Sequence, residues 1–179
     1  MTETAASPDG TLERTPDGGV IRFERHLPYP VAAVWDAITN PARLADWWLP
    51  FDADITIDLR EGGDMVFTAR SGEPPPMTCT VLRVEPPVVF EHTHFVEGVT
   101  VRWELVSVPE GTVLRFDQHV ADVADAVEGC WMVGMYTSLA RLEPVLAGAP
   151  VPWDWDLFAS ARAHYAERGL AAPDPEAAR

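Results

Sequence analysis

With 179 residues, 47% of them apolar, the chain is long enough for one domain with a sizeable core. Its formal net charge of −15 excludes the broadly basic surface that nucleic acid or anionic lipid requires, so neither is expected as a partner. Lysine is absent and all 13 basic residues are arginine, which excludes Schiff-base chemistry and a phosphate-loop lysine.

Residues 1–9 read as a loose tail. "MTETAASPDG" has neither the basic start nor the apolar stretch of a signal peptide, and no apolar run approaches the ~20 residues of a membrane-spanning helix. A cytoplasmic location is expected, with Cys79 and Cys130 as free thiols. "TLERTPDGGVIRFERHL" then reads as a hairpin, with strands over Thr11–Thr15 and Val20–Leu27 turning at Pro16 to Gly19. In "PYPVAAVWDAIT", Pro30 suits the first turn of a helix, and Val31, Val34, Trp35 and Ile38 fall at helical spacing. Asn40 caps a second short helix with Pro41 at its first position, and that helix exits on the adjacent tryptophans Trp47 and Trp48.

Strands follow over Ala53–Leu59, Asp64–Ala69, Met77–Glu85, Val88–Phe95, Val99–Ser107 and Thr112–Val120. The breaks between them, "REGG", "SGEPPP", "PP", "VEG" and "PEG", are hairpin-type connections, so the sheet is expected to be an antiparallel meander. From Ala124 to Leu146 the period is helical, with Met135, Leu139, Leu142 and Leu146 as one stripe and Pro144 expected to bend or fray the end. After the linker "AGAPVP", a further amphipathic helix is expected over Asp154–Arg168, with Trp155, Phe158, Ala161 and Tyr165 as its stripe. The domain is expected over 10–148, the extra helix over 149–170 and a disordered tail over 171–179.

This order of elements, together with "RHLPYPVAAVWDAITNPARLADWW", "IDLREGGDMVF", "VLRVEPPVVFEHTHF", "GTVLRFDQHV" and "VGMYTSLARLEPVLAG", resembles the SRPBCC or START-like superfamily. Within it, the chain is similar to the family of the C-terminal domain of the activator of Hsp90 ATPase. The resemblance covers roughly residues 20 to 148. It implies an α+β helix-grip fold, in which a curved antiparallel sheet wraps a long C-terminal helix and leaves a cavity for apolar ligands. It also implies that Trp47 and Trp48 stand at the cavity mouth and that Gly62 and Gly63 turn the chain into the next strand. Relatives often carry Gly-Trp where this chain has Gly134-Met135.

Within that frame "FEHTHF" is the most suggestive polar element. Phe90, His92 and His94 alternate on one strand face, expected to look into the cavity. A His-x-His pair is also half of a zinc or iron site, but no third ligand is placed, so no metal or other cofactor is expected. Gln118, in register with Leu114 and Phe116, is a second polar point. Trp103, Trp131 and Met135 are expected to line core or cavity.

No GxSxG, HExxH or CxxC occurs, and no nucleophile–base–orienter set follows from spacing, so no catalytic residue is assigned. The expected function is binding of a small apolar or amphipathic molecule, by a monomer or a homodimer. Two alternatives stay open: a polyketide-cyclase-like enzyme with His92 or His94 as base, and a protein-interaction role toward an Hsp90-type ATPase.

Overall fold

Alternation along the strands decides which face of the sheet is inside. The computed structural model describes residues 9–175. It contains β1 (Thr11–Thr15), β2 (Gly18–Leu27), α1 (Val31–Thr39), α2 (Pro41–Ala45) and β3 (Ala53–Ile57). Then come β4 (Asp64–Ala69), β5 (Met77–Glu85), β6 (Val89–Thr93), β7 (Thr100–Val108) and β8 (Gly111–Val120). Helices α3 (Val123–Glu128), α4 (Trp131–Leu146) and α5 (Trp155–Glu167) complete the order. The eight strands form one curved antiparallel sheet in the order β1-β2-β8-β7-β6-β5-β4-β3. β3 to β8 are the expected meander, and β2 extends it by pairing with β8.

Two rows of paired residues cross the inner face. Phe23, Phe116, Trp103 and Phe90 form one, and Ile21, Gln118, Val101 and His92 the next; all are buried. The outer face carries charges of alternating sign in the same register. Arg102 bridges Glu91 at 3.2 Å and Glu104 at 3.1 Å, and Arg115 reaches Glu24 at 3.1 Å and Glu104 at 3.7 Å. Buried aromatics on one side and solvated ion pairs on the other fix the strand register, because a one-residue slip would exchange them.

Helices α1 and α2 form as the sequence predicts. Val34, Ala37 and Ile38 are the buried face of α1, and the Asn40 side chain accepts the Ala42 N–H at 3.1 Å with Pro41 next to the cap.

The single helix expected from Ala124 to Leu146 is two. Asp122 caps α3 through the Ala124 and Asp125 N–H groups, and the chain then breaks at Gly129–Cys130, where Cys130 adopts φ 56°. A weak helix former followed by a left-handed residue ends one helix and redirects the next. Helix α4 carries Pro144 inside and ends two residues after it.

The stripe expected on α5 is half correct. Ala161 and Tyr165 are buried and Phe158 is half-buried, whereas Trp155 is 62% exposed. Helix α5 lies along α4, with Tyr136 and Tyr165 ring centroids 6.0 Å apart and the Tyr165 hydroxyl donating to the Asp9 carbonyl. Ala171, read from the sequence as the start of a tail, is buried, and the Ala172 N–H donates to Val127 O at 3.0 Å. Of the two tails expected, residues 1–8 and 176–179 lie outside the described residues. No helix among the described residues is long and apolar enough to cross a membrane.

Candidate ligand pocket

The paired tryptophans divide the work at the exit of α2. Trp47 is fully buried and its indole N–H donates to Ala37 O at 2.9 Å. Trp48 is half-buried, with its ring 5.3 Å from Trp103 and 6.4 Å from Phe116. A helix end leaves its last carbonyls unpaired and partially negative. Here they meet a cation from α4. The Arg141 guanidinium donates to Asp46 O at 2.8 Å, Trp47 O at 3.1 Å and Leu49 O at 2.9 Å. Its Nε–H donates to Val151 O at 3.0 Å, in the linker to α5. Arg141 is buried, and burial pulls its pKa below the ordinary value, opposed by the fields of Asp46 and Asp52. The sequence reading passed over this residue; the available signal was an arginine set directly beside Leu142 in the stripe of a long helix.

Both segments that Arg141 holds contribute to a pocket of about 300 Å³, one through Trp48 and Leu49 and the other through Trp153, two residues past Val151. Trp48, His94, Gln118, Trp131 and Met135 line it, as does the Gly129–Cys130 break. Its outer rim comes from Trp153 and Phe158 of the C-terminal segment. Among the described residues no aspartate, glutamate or arginine lines it. A groove of about 500 Å³ between α4 and residues 151–157 lies beside it and shares Trp153, but Arg141, Asp154 and Asp156 border it.

Of the residues singled out from the sequence, five therefore meet at the pocket. Trp47, Phe90, His92, Trp103 and Phe116 do not line it; they are the buried layer behind its wall. The strand alternation placed Phe90, His92, Trp103 and Phe116 on the correct face, but Trp48 covers Trp103 and Phe116.

The two histidines have different roles. His92 Nδ1 lies 2.8 Å from Thr93 O, and the Trp103 indole N–H donates to His92 Nε2 at 3.3 Å. This network requires a neutral ring protonated on Nδ1. His94 stands just past the end of β6, and its Nδ1 accepts the Val96 N–H at 3.2 Å, which leaves the proton on Nε2. Burial lowers both pKa values to about 4, and for His94 the neighbouring His92 adds to the effect. Among the described residues no group of three or more His, Cys, Asp or Glu stands close enough to hold a metal.

Two glycines shape the cavity. A side chain at Gly129 would collide with the Trp131 indole, so glycine there lets that ring lie against the backbone. At Gly134, inside α4, an added Cβ would meet nothing within 4 Å.

No curated protein matches the chain at a significant level. Among solved structures, CalU16 from Micromonospora echinospora is 26% identical, with a TM-score of 0.65 over 93% of this chain and 98% of that one. The fold is also that of EF2215 from Enterococcus faecalis, a conserved protein of unknown function, with 18% identity, a TM-score of 0.72, and 91% and 92% of the two chains covered. The AHSA1-like protein from Aeromonas hydrophila, 23% identical, has a TM-score of 0.62 over 73% of this chain and 93% of its own. The family model described as "Activator of Hsp90 ATPase homolog 1-like protein" matches residues 28–147, and the chain belongs to that family.

Proposed function

We propose that this protein binds a small apolar or amphipathic molecule in the pocket between β6, β8, α4 and the C-terminal segment. The observation that carries this reading is Gly134. Glycine inside a helix costs about 0.5–1 kcal/mol relative to alanine. Neither a positive φ nor a close neighbour requires it here. The empty space beside it belongs to the pocket, so the chain gives up helix stability to keep that volume open. Aromatic walls supply affinity by burial, and the few polar groups supply orientation.

Binding is better supported than catalysis. His94 is the one histidine in the pocket lining, and its free nitrogen carries the proton, so it is a donor rather than a base. His92, with both nitrogens engaged, does not line the pocket.

The test is titration with the neutral fluorescent probe N-phenyl-1-naphthylamine. The wild type is expected to bind it saturably. Gly134→Leu, which fills the cavity, is expected to abolish binding without lowering the melting temperature. A wild type that does not bind the probe, or a Gly134→Leu protein that binds it equally well, overturns the reading.

A further inference from the structure

Gln118 is a polar side chain on the apolar inner face of the sheet. It lies in the middle of β8, only 5% exposed, in register with Ile21 on one side and Val101 on the other. Neither neighbour offers a polar side chain. His92, the fourth member of that row, has both ring nitrogens occupied. Among the described residues the Gln118 amide has no hydrogen-bond partner and it belongs to the pocket lining, which also holds the fully buried, unpaired indole N–H of Trp153. Buried polar side chains are normally paired, so an unpaired one facing a cavity marks what the cavity receives.

We infer that the pocket takes an uncharged aromatic molecule bearing a carbonyl beside an N–H or O–H, and that the Gln118 amide recognises that edge. The inference rests on the ligand-binding reading above and deepens it. A primary amide presents one acceptor and one N–H donor side by side, the complement of a lactam, an amide or a hydroxy-ketone. Among the described residues the pocket lining has no cation to pair a carboxylate and no anion to pair an ammonium, and a net charge of −15 disfavours anions at a distance. The walls are Trp48, Trp131 and Phe158, which suit the faces and edges of a ring. Its volume of about 300 Å³ sits at the small end of ligand pockets and matches a compact fused-ring molecule. His94, protonated on Nε2, adds a second neutral donor in the same lining.

The experiment uses the full chain and three bicyclic probes of one outline: 2-quinolone, naphthalene and 2-naphthoate. Affinities are read from tryptophan fluorescence at neutral pH. 2-Quinolone is expected to bind about tenfold more tightly than naphthalene, the worth of roughly one net hydrogen bond. That preference should vanish in Gln118→Leu, which keeps naphthalene binding. The same variant should hold its melting temperature, because the amide has no protein hydrogen bond to lose. Equal affinity for 2-quinolone and naphthalene, or a preference that survives in Gln118→Leu, overturns the inference while ligand binding itself stands. Tightest binding of 2-naphthoate overturns it as well. Failure of these probes and of N-phenyl-1-naphthylamine to bind removes the underlying reading, and the inference with it.

Discussion

At the scale of single residues, His92 shows how a buried group acquires a fixed protonation state. Adding a proton at Nε2 would set two donors against each other across the 3.3 Å contact with Trp103. Burial holds His92 and His94 at folded pKa values of about 4, against the ordinary histidine value of 6.5. Between those values the unfolded chain binds protons that the folded chain refuses. Their contribution to stability is therefore complete above pH 6.5 and is lost as the pH falls toward about 4. The slope is at most about 1.4 kcal/mol per pH unit for each histidine. Urea midpoints measured across this window should fall with pH, and His94→Gln should flatten the decline. An unchanged slope in that variant would show that His94 contributes none of it. The sequence placed both histidines on one strand face, yet His94 lies beyond the last ladder residue of β6, where its ring turns to the Val96 N–H. Alternation is a property of the ladder and stops where the ladder stops.

At the scale of elements, Arg141 ties three segments that share no sheet or helix. One guanidinium satisfies carbonyls at the end of α2, in the loop after it and in the linker to α5. Arg141→Met should cost about 3 kcal/mol in urea denaturation, because several carbonyls lose a charged donor in a buried site. Arg141→Lys should recover only part of that, since an ammonium cannot reproduce the planar fork. Full recovery by lysine would mean that charge alone matters. The helix starts were legible because capping is local chemistry: Asn40–Pro41 announces α2 within a few residues. The break at Gly129–Cys130 was not, because apolar spacing continues through it from Val127 to Trp131 and Met135, and only packing shows that the stripe changes axis. The Arg141 contacts reach across roughly ninety residues of sequence to Asp46, Trp47 and Leu49, where no local pattern records them.

At the scale of the molecule, the C-terminal segment completes the pocket wall that the domain leaves open. Trp153 and Phe158 are its contribution, and Val151 is pinned by Arg141. Deleting residues 150–179 should leave the sheet and α4 folded, because only Ala161 and Tyr165 of α5 are buried. It should also speed dissociation of N-phenyl-1-naphthylamine in stopped-flow measurements. An unchanged off-rate, together with a change from dimer to monomer on a sizing column, would make the helix an interface element instead. The sheet was readable because each strand break carries glycine or proline, and hairpins force antiparallel neighbours. Pairing of β2 with β8, distant in sequence, leaves no local pattern to read. The division between pocket lining and the layer behind it could not be read, because it depends on Trp48 screening Trp103 and Phe116.

The open space beside Gly134 also bears on how such a protein changes over generations. Every glycine codon becomes alanine by a single base change, and at this position the added methyl would enter unoccupied space rather than displace a neighbour. No hydrogen bond of the frame runs through that side chain. A lineage can therefore shrink its pocket in small steps, and so exchange one ligand for a slimmer one, while the sheet, the caps and the Arg141 tie stay as they are.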